Sequence, residues 1–183
     1  GAASGIGKIL TRKALEKGAK EMVLLDYNLD GLEYVKQEFA HFQKPFHLYK
    51  VDLSDQTELL AIIDKIKTEI AHVDILINNA GIIVGKNYVD HTLEDINRTM
   101  QVNTVSLMIL ANAFLDGMMQ RNSGVISNVA SVAGLTSTPQ MAVYVASKWA
   151  VVGWSEALRL EMKQAKSKVC INCVMPFYIN TGM

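Results

Sequence analysis

Short apolar runs alternate with helical stretches along this chain, and that alternation is what most restricts its fold. Strand-like runs fall at 21–25 (EMVLL), 46–51 (FHLYKV), 73–77 (VDILI), 124–129 (GVISNV) and 169–174 (VCINCV). Between them, apolar residues recur at helical intervals, as at Leu32, Val35, Phe39 and Phe42. Helices are predicted over 5–17, 29–42, 54–70, from Thr92 to about 121, and 142–163. Gly18 suits a helix C-cap, and Ser54 and Thr92 suit N-caps. Strands separated by helices of this length need parallel crossovers. Near-continuous apolar strands suit a sheet covered on both faces. The predicted class is therefore α/β: a doubly wound parallel sheet with helices on both faces, one domain over 1–183.

Composition excludes several classes. Of 183 residues, 50% are apolar and 20% charged, which suits a packed core and not a disordered chain. Lys plus Arg and Asp plus Glu are 18 each, without the basic excess a nucleic-acid partner would call for. His41, His47, His72 and His91 are scattered, so no metal site is expected. Cys170 and Cys173 sit in an alternating apolar stretch and read as buried thiols. A redox pair would need an exposed turn into a helix. No apolar run reads as long enough to cross a membrane, and no signal peptide opens the chain. The first residue lies already inside a glycine turn that normally follows a strand, and an apolar strand stands close to the last residue. The reading is thus of a fold lacking its first strand and its C-terminal substrate region. The strand ending at Asp26 should then have no inner neighbour.

Function enters through the strand ends. Asp26, Asp52, the run Asn78-Asn79-Ala80-Gly81, Ser131 and Pro176 all fall at predicted carboxyl ends, the rim where doubly wound folds bind ligands. Gly1, Gly5 and Gly7 let backbone approach a diphosphate at a helix start, where free N–H groups face the anion. Asp26, about twenty residues on, can accept from a ribose 2′-hydroxyl and repels a 2′-phosphate. Ser4, just before Gly5, is neutral; Lys8 follows Gly7 and could be merely solvated. NAD is therefore expected over NADP. Tyr144 and Lys148 share one helix face, Ser131 stands thirteen residues earlier, and Asn103 lies inside a long helix it does not favour.

Taken together, GAASGIG (1–7), Asp26, Val51-Asp52-Leu53, NNAG (78–81), Val102-Asn103, Ser131 before Val132-Ala133-Gly134, and YVASK (144–148) resemble the short-chain dehydrogenase/reductase family across the whole chain. The glycine spacing resembles the short single-domain branch. The resemblance implies a catalytic set of Asn103, Ser131, Tyr144 and Lys148. Tyr144 would be the general acid/base, with Lys148 and the nicotinamide charge easing ionisation of a phenol, which alone needs a pH of about 10. Ser131 would hold the substrate oxygen. Asn103 would hold a water linking Lys148 to solvent, and Lys148 would also bind the nicotinamide ribose. The resemblance further assigns Gly1, Ser4, Gly5, Ile6 and Gly7 to the cofactor turn, Asp52 and Leu53 to the adenine, and Asn79, Ala80 and Gly81 to the adenosine ribose. Pro176, Ile179 and Thr181 would follow at the carboxamide.

The family's usual Pro-Gly is here Pro176-Phe177. The run PFYINTGM (176–183) resembles the branch of retinol and hydroxysteroid dehydrogenases and their bacterial relatives, which implies a lipophilic secondary alcohol as the small-molecule substrate. Family members commonly form dimers or tetramers, here through 93–121 and 142–163. An intracellular protein is expected, membrane-associated only if an anchor precedes Gly1. The alternatives are an NADPH-dependent carbonyl reductase and a catalytically silent nucleotide-sensing protein on the same fold.

Overall fold

The computed structural model describes residues 1–177 and 179. Their order is α1 (Gly5–Glu16), β1 (Met22–Asp26), α2 (Leu29–Glu38), β2 (Phe46–Lys50), α3 (Gln56–Glu69), β3 (Ile75–Asn78), α4 (Leu93–Met100), α5 (Ser106–Gln120), β4 (Val125–Val129), α6 (Ala142–Gln164) and β5 (Cys170–Val174). The alternation read from the sequence is thus the observed one, with most ends shifted by a residue or two, the α2 end by four, and the long stretch from Thr92 divided into α4 and α5. The described residues fall into two compact units, Gly1–Ile62 joined by Ile179, and residues 63–177.

In the first unit β1 and β2 pair in parallel, from Met22 opposite Phe46 to Asp26 opposite Lys50. Leu15 of α1, Leu24 of β1, and Leu32 and Val35 of α2 form its core, with Phe39 closing it. The α1 helix stops as expected at Gly18, whose φ of 89° accepts the left-handed turn. There the Gly18 and Ala19 N–H groups donate to Leu15 and Ala14 carbonyls. The α2 periodicity ends earlier than its apolar spacing suggests, because 40–42 tightens into a separate short 3-10 turn.

In the second unit β3, β4 and β5 form a parallel sheet in that order. Among the described residues β1 pairs with β2 and β3 with β4. Ile126 and Ile171 pack under Ala111 and Met118 of α5 and Leu158 and Met162 of α6. In this unit α5 and α6 pack on one face of the sheet, and the side chains of Ile75 (62%), Ile77 (38%) and Val174 (48%) that point the other way are exposed. The thiols differ from expectation. Cys170 is exposed and Cys173 half-buried, because residues three apart on a strand face opposite ways.

Two helix starts separate what the sequence merges. Thr92 caps α4 as expected, in a capping box with Asp95. The α3 start belongs instead to Asp55, whose Oδ1 accepts from Thr57 and Glu58 N–H groups at 2.8 and 3.0 Å. Ser54 is occupied elsewhere, donating its hydroxyl to Asp52 at 2.6 Å. The stretch Leu93–Gln120 is long and apolar enough to cross a membrane by length and composition, unlike the sequence reading. It is not one uniform helix: residues 101–105 form a π-helical turn, and Leu107, Leu110, Ala111 and Met118 are buried in the unit. Replacing Asp55 by Ala is expected to cost about 1 kcal/mol in urea denaturation, and Ser54→Ala less than half of that. Equal losses would contradict the Asp55 cap.

Candidate active site

The glycine turn belongs to the first unit. Gly5 adopts φ 51°, a conformation that favours glycine. Ser4 is extended and makes no side-chain cap, and no acidic residue stands in the first turn of α1. The helix start therefore keeps N–H groups and positive potential for an anion, which fits a diphosphate. Asp26 ends β1 and is tied to this turn. Its Oδ2 accepts from the Ala3 N–H at 3.0 Å and lies 3.2 Å from the Gly1 amino nitrogen, and its Oδ1 accepts from Asn28 N–H at 2.9 Å. Burial opposes ionisation of Asp26, whereas the backbone donors of Asn28 and Ala3 favour its charged form. Gly31, opening α2, leaves room for the turn, since a Cβ there would stand 2.9 Å from that of Ala3.

Lys8 does not reach toward the Asp26 side chain. It pairs with Glu38 at 2.5 Å and lies 4.8 Å from the centre of the Tyr34 ring. Asp52 at the end of β2 is engaged by its own loop, its Oδ1 accepting from Ser54 N–H and hydroxyl at 2.8 and 2.6 Å. Leu53 beside it is half-buried. Ile179 is 51% exposed, and Thr181 lies outside the described residues.

The second unit brings the other predicted residues around one turn of α6. Val143, Ser147, Val151, Ser155, Leu158 and Met162 make its buried stripe, and Lys148 lies beside that stripe only 3% exposed. The Lys148 Nζ donates to the Val129 carbonyl at 3.0 Å and lies 5.7 Å from the centre of the Tyr144 ring. Burial lowers the Lys148 pKa from 10.5 to about 8, opposed by Cys173 on β5. Burial raises the Cys173 thiol in turn, opposed by Ser155 and Lys148. Asn103 is fully buried in the π-helical turn, not solvated on a helix surface. Its Oδ1 accepts from Ile82 N–H at 2.8 Å and its Nδ2 donates to Ile82 O at 2.9 Å. The loop from Asn79 and Ala80 is thereby fastened at Ile82. A Cβ at Gly81 would meet Lys148 Nζ at 3.3 Å and Asn103 Oδ1 at 3.4 Å.

Ser131 begins a 3-10 turn after β4, its hydroxyl accepting from Ala133 N–H at 3.1 Å. This turn packs tightly on α6: a Cβ at Gly134 would fall 2.8 Å from Val152 Cγ2 and 3.0 Å from the Lys148 carbonyl. Pro176 joins it through its carbonyl, which accepts from Val132 N–H at 3.0 Å. Sequence reasoning missed the buried polar residues that pack around the site. Ser147 accepts from Asn103 Nδ2 at 3.0 Å, and Thr104 donates to the Ser147 carbonyl at 3.1 Å. Asn128 accepts from Asn78 Nδ2 and donates to the Ser155 hydroxyl, both at 2.9 Å. A polar residue inside an apolar strand (Asn128) and a serine between Tyr144 and Lys148 were the available signals.

Parallel strands, a glycine turn opening a helix, and polar groups at strand ends define a nucleotide-binding α/β protein of Rossmann type. The family profile described as short chain dehydrogenase matches residues 1–183, and the chain belongs to that family. It is 34% identical over 183 residues to 17-beta-hydroxysteroid dehydrogenase 13 of Mus musculus, covering all of this chain and 60% of that protein. It is 36% identical over 191 residues to short-chain dehydrogenase/reductase family 16C member 6 of Bos taurus, covering 100% of this chain and 58% of the relative. The chain thus spans about three-fifths of the length of these relatives. Among solved structures, a short chain dehydrogenase/reductase from Burkholderia phymatum in complex with NAD superposes with TM-score 0.92 at 29% identity, covering 100% of this chain and 65% of that one. A short-chain dehydrogenase from Sphingobium yanoikuyae in complex with NADPH gives 0.91 at 29%, covering 99% and 70%.

The buried ammonium makes stability depend on pH. An unfolded lysine holds its proton up to about pH 10.5, but folded Lys148 only up to about 8. Between these values unfolding takes up a proton, so stability rises with pH. Relative to Lys148→Met, the parent should gain up to about 3 kcal/mol between pH 8 and 10.5 and show a constant difference below pH 8. Urea denaturation across that range measures it, and a flat difference throughout would refute the burial argument.

Proposed function

We propose that the protein is an NAD-dependent oxidoreductase that interconverts a secondary, lipophilic alcohol and its carbonyl. The observation that carries this reading is the pair on α6: Lys148 is buried, and its ammonium faces the Tyr144 ring one turn away. When bound, the nicotinamide nucleotide supplies the hydride donor or acceptor. Tyr144 gives or takes the proton at the substrate oxygen. The positive charge of Lys148 favours the phenolate over the phenol. Ser131, with its backbone fixed by the turn packed on α6, offers its hydroxyl to the same oxygen and orients it. Asn103 holds the loop at Ile82, next to Gly81, and in this reading a water held there links Lys148 to solvent.

Gly1, Ser4, Gly5, Ile6 and Gly7 fit the diphosphate through an uncapped helix start. Asp26 favours a ribose 2′-hydroxyl over a 2′-phosphate by charge. Lys8, the one cation next to the turn in sequence, is engaged by Glu38 and Tyr34. Asp52 and Leu53 serve the adenine in this reading, Asn79, Ala80 and Gly81 the adenosine ribose, and Pro176 and Ile179 the carboxamide. Support for a lipophilic substrate comes from the steroid named in the relatives, including Estradiol 17-beta-dehydrogenase 11 of Homo sapiens at 34% identity. Trp149 and Leu160, exposed on one face of α6, support pairing with a second copy.

Absorbance of NADH and NADPH, followed with steroid, retinoid and small aliphatic alcohols and ketones, tests the function on the whole protein. Turnover with NAD and a lipophilic alcohol is expected, and Tyr144→Phe should reduce kcat by about a thousandfold or more. Nucleotide binding without turnover on any of these would favour the silent nucleotide-sensing reading. In the same assay Asp26→Ala should narrow the preference for NAD by about tenfold or more. Tighter binding of NADP by the parent would overturn the cofactor assignment.

A further inference from the structure

The hydroxyl of Ser147 is fully buried and lies between the two halves of this polar centre. It donates to the Tyr144 carbonyl at 2.7 Å and accepts from Asn103 Nδ2 at 3.0 Å. A hydroxyl has one proton to give. With that proton on the Tyr144 carbonyl, Ser147 can only present a lone pair to Asn103. This sets the amide nitrogen toward α6 and the oxygen toward Ile82 N–H, the same sense that the Ile82 peptide demands. The Ile82 contacts tie Asn103 to its loop, but they do not tie the loop to α6. Ser147 makes that connection, one residue before Lys148 and three after Tyr144. Asn103 Oδ1 and Lys148 Nζ both border the space a Gly81 side chain would fill, 3.4 and 3.3 Å from where its Cβ would stand.

We propose that Ser147 is a positioning residue: its hydroxyl anchors the Asn103 amide to the α6 turn carrying Tyr144 and Lys148, and so holds the Asn103 carbonyl oxygen toward the Lys148 ammonium. This rests on the reading of Tyr144 and Lys148 as the reacting pair. Among the described residues, the titratable groups facing Lys148 are Tyr144 on its own helix and Cys173 on β5, while β4 contributes the Val129 carbonyl. An oxygen held toward the ammonium favours the charged lysine. Without Ser147, the loop and Asn103 lose their registry with it.

The test compares Ser147→Ala with Thr104→Val. Thr104 also bonds α6, through the Ser147 carbonyl, so its loss weakens the same packing without releasing the amide. The Lys148 titration is followed by NMR of the lysine ε-carbons in the whole protein, assigned by its absence in Lys148→Met. Ser147→Ala should lower the titration midpoint by about half a pH unit. It should also lower kcat about tenfold with the KM for NAD little changed, the limb of the pH–rate profile moving with the midpoint. Thr104→Val should lower thermal stability and leave midpoint and profile in place. Ser147→Cys, a weaker acceptor of similar size, should shift the midpoint in the same direction and decides the matter if the alanine variant does not fold. A midpoint unmoved by the Ser147 substitutions, or moved equally by Thr104→Val, overturns the proposal. The titration is read without turnover. An inactive parent whose Lys148 midpoint still follows Ser147 therefore counts against the oxidoreductase reading and supports the positioning role.

Discussion

A lysine ammonium held almost entirely out of water is the constraint around which the second unit is arranged. Burying such a charge is costly unless oxygen atoms replace its hydration. The Val129 carbonyl at the end of β4 is one such atom, accepting from the Lys148 ammonium at 3.0 Å. Both neighbouring turns are drawn close at a glycine. A side chain at Gly81 would press on the ammonium, and one at Gly134 on the Lys148 carbonyl. The π-helical turn is consistent with the same demand, since it carries Asn103 fully buried within the packing against α6.

The first unit has its own organising contact. Asp26 accepts from the Ala3 N–H, and the Ala2 N–H donates to the Leu25 carbonyl, so turn and strand end are one hydrogen-bonded assembly. An acidic residue there both shapes the glycine turn and sets the sign of the potential at the strand end. In the proposed function, that sign favours a hydroxyl over a phosphate on the ribose.

Much of this was legible in the sequence, because it rests on local rules. The strands announced themselves by apolar runs, the α1 stop by Gly18, and the α4 start by Thr92 with Asp95 three residues on. Where two neighbours can do one job, local rules fail: Ser54 and Asp55 both suit a cap, and the pull of Asp52 on Ser54 leaves the cap to Asp55. The π-helical turn was invisible because the apolar periodicity runs on through it. Burial was legible only where the neighbours were. Ile75, Ile77 and Cys170 look like core residues, yet the tertiary arrangement of the described residues leaves them exposed. Asn103 stood out as a poor helix former, but its partners Ile82 and Ser147 lie 21 and 44 residues away, beyond any spacing rule.

The central claim is that this chain's α6 pair serves hydride exchange with a nicotinamide nucleotide. The most direct measurement mixes the whole protein and NAD with secondary alcohols, a steroid and short aliphatic ones, deuterated at the carbinol carbon, and weighs the reduced nucleotide by mass spectrometry. The account predicts one deuterium in each reduced nucleotide formed. Reduced nucleotide without the label, or NAD bound and never reduced by any of these alcohols, would contradict it.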